Sequence, residues 1–187
     1  MKPWKKTGSE IIFDKGGFRI RKDSLVLPNG KAKDWVYWDS RDSVMVAGMT
    51  ADRKLVMIRQ YRYLAGQETL ELPSGGLEEG EKPEDGARRE FAEESGYRCG
   101  RLVKLGSFYE TYGQLNRQIH LFFSDEVEKA EQDLDDGERG YEDIAAELVP
   151  FDDALRMALD NRLIATPTAL IVLLVKEHIG KTSLIDL

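Results

Sequence analysis

The chain has 187 residues, of which 33% are charged and 41% hydrophobic, and its net charge is −7. That length suits one domain, or one domain with an appendage, and the apolar residues are too plentiful for a disordered chain. No run reaches the roughly 18 apolar residues that a membrane helix needs.

The opening Met1-Lys2-Pro3-Trp4-Lys5-Lys6-Thr7-Gly8 lacks the apolar stretch of a signal peptide. Cys99 is the only cysteine, so neither an intrachain disulfide nor a cysteine-rich zinc cluster is expected. Both features point to a reduced, cytoplasmic protein. The charge is uneven: residues 125 to 153 carry 13 acidic side chains against Lys129 and Arg139, a local balance of −11, whereas residues 1 to 41 hold 10 basic and 5 acidic ones. A nucleic-acid binder normally shows a dominant basic face, so no nucleic acid and no membrane is expected as a partner. The acidic run reads first as solvated surface, with one or two carboxylates as candidates for a metal or cationic site.

Along the chain, Glu10–Asp14, Phe18–Arg21 and Ser24–Leu27 read as short strands before a Pro28-Asn29-Gly30 turn. The aromatic-rich Lys33–Asp39 reads as another. These strands, residues 1 to 40, form an N-terminal antiparallel segment ahead of a main domain over 41 to 187. Val44–Ala47 and Leu55–Ile58 predict a buried hairpin around Asp52-Arg53. Pro83–Ser95 predicts a helix: Pro83 fits the first turn, Glu84 and Asp85 suit its positive end, and Gly96 is a natural stop. Strands are expected at Val103–Tyr109, Gln118–Phe123 and Ile144–Val149. Helices are expected over Phe151–Asn161 and from Pro167, with Thr166 as cap. Strands with interspersed helices predict a mixed α/β (α+β) layer fold.

The informative stretch runs from Gly75 to Tyr97. At about 100° per residue, Glu93 and Glu94 each fall within roughly 60° of Glu90, one on either side of it, on the predicted helix. Three carboxylates so close repel each other unless water or a cation intervenes. An oxygen-only cluster suits a hard cation, Mg²⁺ or Mn²⁺. The Gly75-Gly76 pair lets backbone approach a ligand closely. For the glutamates alone, the competing reading is an exposed acidic helix face.

The whole stretch reads Gly75, five residues, Glu81, seven residues, Arg89-Glu90, Phe91, one residue, Glu93-Glu94, one residue, Gly96, Tyr97. It resembles the signature of the Nudix hydrolases. That resemblance implies a mixed sheet sandwiched between helices and a metal-dependent pyrophosphohydrolase. Glu90 and Glu94 would be the principal metal ligands, with Glu93 as a third ligand or a holder of metal-bound water, and the carbonyl of Ser74 would join them. Glu81 and Arg89 would pair to fix the loop on the helix, with Gly75 and Gly96 as the structural glycines.

Upstream, Gln60-Tyr61-Arg62 and Glu71-Leu72-Pro73-Ser74-Gly75 are similar to the ADP-ribose and nucleoside diphosphate sugar pyrophosphatase branch. By that likeness Arg62 lies near the substrate diphosphate, where a guanidinium binds phosphate oxygens; the alternative is an ion pair with Glu71. Downstream, Glu142 corresponds best to a catalytic or metal-linked glutamate of the branch, with Glu138 as the alternative. Tyr112 stands where such pyrophosphatases carry proline and is a candidate substrate contact. A tyrosine at similar spacing occurs in dinucleoside polyphosphate hydrolases. The resemblance therefore implies cleavage of nucleoside diphosphate sugars, ADP-ribose-like, by a homodimer built through its N-terminal strands. Dinucleoside polyphosphate or nucleoside triphosphate hydrolysis, or a non-catalytic nucleotide sensor, are the alternatives. His120 and the three tryptophans read as packing residues, and Cys99 has no neighbour pattern that would make it a nucleophile.

Overall fold

The computed structural model describes residues 1–130 and 144–185. It divides into two compact units: Met1–Asp42 with Tyr109–Gln118, and Ser43–Phe108 with Ile119–Leu187.

In the first unit, β1 (Lys5–Lys15), β2 (Phe18–Val26) and β3 (Ala32–Trp38) form an antiparallel sheet in that order. β2 is one continuous strand where two short ones were expected. Lys22-Asp23 is not a turn, because Asp23 is satisfied across the sheet. It accepts hydrogen bonds from Ser9 Oγ at 2.6 Å and Tyr37 Oη at 3.3 Å, and pairs with Lys6 at 3.3 Å. The tryptophans pack, as anticipated. Trp4 meets Trp35 edge-on at 5.7 Å, and Phe18 lies 5.1 Å from Trp38. Residues 109–118 join this unit from far along the chain. The Trp38 N–H donates to Gln114 O at 2.8 Å, and Asn116 Nδ2 donates to Asp39 at 2.7 Å. Local sequence pattern gives no sign of that return.

The second unit contains β4 (Ser43–Met49), β5 (Lys54–Arg62), β6 (Gln67–Glu71), β7 (Ser74–Gly76), α1 (Pro83–Ser95), β8 (Tyr97–Cys99), β9 (Val103–Tyr109), β10 (Gln118–Ser124), β11 (Val127–Lys129), β12 (Ala145–Pro150), α2 (Phe151–Leu159) and α3 (Thr166–Ile185). Its main sheet runs β12-β5-β4-β10-β9, with β6 paired to β5 and β7 to β4. β4 and β10 are parallel, whereas β5 is antiparallel to β4, β6 and β12. Parallel pairing demands a long crossover between β4 and β10, and that crossover carries α1.

Every residue of β4 is buried, so side chains on both of its faces meet protein. Val44 and Val46, with Val56 of β5 and Phe122 of β10, pack against Ala87 and Phe91 of α1. Met45 and Ala47, with Leu55 and Met57, pack against α2 and α3 through Ala154, Ile171 and Val175. This alternation is the period of two of a strand applied to two apolar layers. Truncating a fully buried phenylalanine such as Phe91 to alanine costs about 3–5 kcal/mol.

α1 has the bounds expected of it. α2 stops at Leu159, ahead of the expected Asn161, because Asn161 takes a left-handed conformation at φ 57°. The short strands β6, β7, β8 and β11 were not anticipated. Each is held by its partner in the sheet more than by its own apolar pattern.

Candidate active site

α1 begins at Pro83 with Glu84 and Asp85 in its first turn, and ends on Gly96 at φ 69°, whose N–H donates to Ala92 O at 3.0 Å. Its apolar stripe of Ala87 and Phe91 is fixed to the sheet, which sets the rotation of the helix and hence the direction of Glu90, Glu93 and Glu94. Glu90 and Glu94 are only 8% and 7% exposed.

β7 supplies the opposing wall. Gly75 is in register with Val44, whose side chain faces α1, and a Cβ built on Gly75 would overlap the Glu90 carboxylate. Only a residue with no side chain lets backbone come this close. The Ser74 N–H donates to Glu94 Oε2 at 2.7 Å. Two carboxylates of α1 are thus set against the backbone of residues 74 and 75.

Arg89 ties the loop to the helix. Its Nε and Nη2 donate to the two oxygens of Glu81, each at 2.9 Å, and Nη2 also reaches Gly76 O at 3.1 Å. Nη1 donates to Glu90 Oε1 at 2.8 Å and to Glu93 Oε2 at 3.0 Å. The Glu78 N–H completes the knot on Glu81 Oε2 at 2.8 Å. The Arg89 hydrogen bonds hold the Glu81 carboxyl below the ordinary glutamate range, and Glu81, then Glu90, raise the Arg89 guanidinium. Part of the mutual repulsion of the glutamates is therefore relieved by a cation within the chain. Gly86 is a further participant that the sequence did not flag, since a Cβ there would meet Leu77 Cδ2 at 2.5 Å and press on Glu81.

Among the described residues, no three His, Cys, Asp or Glu side chains converge as a ready metal cage. Arg89 instead engages one oxygen each of Glu90 and Glu93. The donor set still fits a divalent cation. Its side chains are all oxygen ligands of one helix, two of them buried, and the missing Cβ of Gly75 lets the Glu90 carboxylate lie against the backbone. Hard cations of the Mg²⁺ class take such ligands.

A second polar group lies on the same face of the sheet. Val56 faces α1, so Ile58, Gln60 and Arg62 follow on that side, together with Glu71 and Thr69, which are in register with Ile58 and Gln60. Arg62 Nε and Nη2 donate to Glu71 Oε1 and Oε2 at 3.0 and 2.7 Å, and Thr69 Oγ1 donates to Oε1 at 2.6 Å. Burial pushes the Glu71 carboxyl up, but Arg62 and Thr69 outweigh it and hold it below the ordinary range. The ion-pair reading of Arg62 is realised, and its side chain remains 40% exposed. Gln60 is buried, and its Nε2 has no hydrogen-bond partner among the described residues. Thr69 escaped the sequence reading because β6 did; once β6 is drawn as a strand, Thr69-x-Glu71 places both on one side.

Tyr112 belongs to the first unit and is exposed. Glu138 and Glu142 lie outside the described residues. His120 is buried, with Nδ1 2.7 Å from Ser107 Oγ. Burial pushes the Cys99 thiol up, which disfavours a thiolate nucleophile.

The chain is similar to known proteins. The NUDIX domain profile matches residues 39–167. An ADP-ribose pyrophosphatase of Bacillus subtilis is 30% identical over 165 residues, 88% of each chain. A methanol dehydrogenase activator of Bacillus methanolicus is 30% identical over 164 residues, again 88% of each. A GDP-mannose pyrophosphatase of Escherichia coli K12 is 30% identical over 142 residues, 73% of this chain and 72% of that one. The crystal structure of an ADP compounds hydrolase superposes with a TM-score of 0.83 over 97% of both chains at 17% identity, which establishes a shared fold. A profile that spans the carboxylate helix and most of the sheet, joined to relatives at this identity over most of their length, makes the chain a member of the Nudix hydrolase family.

Proposed function

We propose that the protein hydrolyses the diphosphate of nucleoside diphosphate sugars, ADP-ribose among them, to a nucleoside monophosphate and a sugar phosphate. The observation that carries this reading is the seating of Glu90 and Glu94, buried on α1, against the backbone of Ser74 and Gly75. The relatives named for ADP-ribose and GDP-mannose pyrophosphatase activity support the substrate class.

Glu90 and Glu94 would hold Mg²⁺, for which Mn²⁺ can substitute, with Glu93 and the Ser74 carbonyl as further oxygen donors. A bound divalent cation supplies charge neutralisation on the diphosphate and lowers the pKa of its water. The protein's own part is positioning. The Glu81–Arg89 pair fixes α1 relative to the loop, and Arg62 offers a guanidinium to phosphate oxygens from the same face of the sheet. Glu142 takes the proton of the attacking water, with Glu138 and Glu93 as the other candidates for that role.

The protein acts as a homodimer through the β1–β3 sheet, where Ile11, Ile12, Phe13, Phe18 and Val36 are each about half exposed. The single Cys99 fits a cytoplasmic, reducing compartment. Tyr112, 85% exposed, stands at the spacing of a tyrosine in dinucleoside polyphosphate hydrolases, so those compounds join the substrates tested. Phosphate release from a nucleotide sugar panel, coupled to added phosphatase and run with Mg²⁺ or EDTA, tests the reading. Products identified as a nucleoside monophosphate and a sugar phosphate are expected. Failure of every nucleotide sugar to turn over with metal would overturn it.

A further inference from the structure

We propose that Glu71 is a positioning residue, which with Thr69 fixes the plane of the Arg62 guanidinium for the substrate diphosphate. This rests on the reading of Arg62 given above and assigns a task to a carboxylate that the reaction does not otherwise use.

Three observations converge. The first is geometric. Both Glu71 oxygens accept from Arg62, through Nε at 3.0 Å and Nη2 at 2.7 Å, and Thr69 Oγ1 locks the carboxylate itself at 2.6 Å. Two parallel bonds fix a plane, whereas a single bond leaves the guanidinium free to rotate. The second is placement. Strand register puts Glu71 opposite Ile58 and Thr69 opposite Gln60, on the side of the sheet where Val56 meets α1. The fork is therefore built on the side of the sheet against which α1, the helix of Glu90 and Glu94, packs, and on two paired strands rather than on a loop. The third is energetic. Glu71 is 6% exposed while its partner Arg62 is 40% exposed, and an ion pair open to solvent on one side is only a modest source of stability. Holding a cation in one orientation on rigid strands is what such a pair does well, and orientation is what a diphosphate site needs.

The test uses the full chain and ADP with Mg²⁺ as the probe, with titration calorimetry as the readout and a thermal melt as the folding control. Glu71→Gln and Arg62→Ala should each weaken ADP binding about tenfold or more, and the double variant should bind no more weakly than Arg62→Ala alone. Free guanidinium, at concentrations below those that unfold the protein, should restore ADP affinity to Arg62→Ala but not to the double variant. A purely structural Glu71 would not give that difference. Arg62→Lys is the companion variant, its folding checked by the same melt. It keeps the charge but cannot form the fork, so it should lose about as much affinity as Arg62→Ala.

Wild-type ADP affinity in Arg62→Lys overturns the proposal. So does wild-type affinity in Glu71→Gln, or losses that multiply in the double variant, or an absence of ADP binding by the unmodified chain. Turnover of ADP-ribose by the unmodified chain separates the two ideas. Uncoupled variants in an active enzyme refute the role of Glu71 alone. Coupled variants in a chain that turns over no nucleotide sugar refute the proposed substrate alone.

Discussion

Gly75 and Glu90 compete for one volume: the space where a Cβ on Gly75 would stand is filled by the Glu90 carboxylate. The glycine is held there by the pairing of Gly75 with Val44, and the glutamate by the packing of Phe91 beside it. Gly75→Ala must therefore push Glu90 aside or open the β4–β7 pairing. Overpacking of this kind costs about 1–3 kcal/mol, which a domain of this size withstands. The expected outcome is a folded protein with a modestly lowered melting temperature, weakened Mg²⁺ binding and turnover reduced by at least tenfold. A variant with wild-type activity would show that the close approach serves packing alone.

Substitution of the glutamates separates metal holding from proton transfer. Glu90→Gln or Glu94→Gln should lower turnover by several orders of magnitude with little change in the melt, and should weaken Mn²⁺ binding followed by electron paramagnetic resonance. Glu142→Gln should slow turnover by about 10²–10⁴-fold and leave Mn²⁺ binding near wild type. Near-wild-type turnover in Glu142→Gln would move the proton-accepting role to Glu138 or Glu93.

Acid stability reports on Glu71. Its carboxyl sits below the ordinary range in the folded protein because Arg62 and Thr69 outweigh burial. A depressed folded pKa means that the contribution to stability is fully present above the unfolded value, about 4.3. It is lost as pH falls through the folded value. The urea midpoint of the wild type should therefore drop more steeply below about pH 4.3 than that of Glu71→Gln. Parallel curves would mean that Glu71 has an unshifted pKa.

Much of this was legible in the sequence, and the exceptions have physical causes. α1 announced itself through Pro83, the acidic first turn and Gly96, because helix ends are written in local chemistry. The Glu81–Arg89 pairing came from the family signature, while the reach of Arg89 onto Glu90 and Glu93 emerged only with the helix in place. β6 and β7 stayed hidden because Gln67–Glu71 and Ser74–Gly76 are too short, and β7 too glycine-rich, to show strand periodicity. With β6 hidden, Thr69 could not be recognised as a partner of Glu71. The association of residues 109–118 with the N-terminal sheet is a long-range packing fact, and no local pattern encodes it.

The oligomeric state offers the last prediction. β1 is exposed along its whole length, and its sheet carries Ile11, Ile12, Phe13, Phe18 and Val36 about half exposed. Phe13 meets Phe18, which in turn meets Trp38, and exposed apolar side chains gathered in this way mark an association site. A strand whose edge is open also invites pairing with another chain. A two-fold dimer would cover the patch with its own copy, and so bury it without any further partner. Light scattering should give about 43 kDa, twice the 21.3 kDa of one chain. Phe13→Glu discriminates, because a charge at an exposed position of a monomer changes stability by only about 0.5 kcal/mol. In a dimer the same charge would be buried without a partner. The variant should therefore run at 21.3 kDa, while Mn²⁺ binding at Glu90 and Glu94 is retained. A wild-type chain that is monomeric and fully active at micromolar concentration would overturn the dimer.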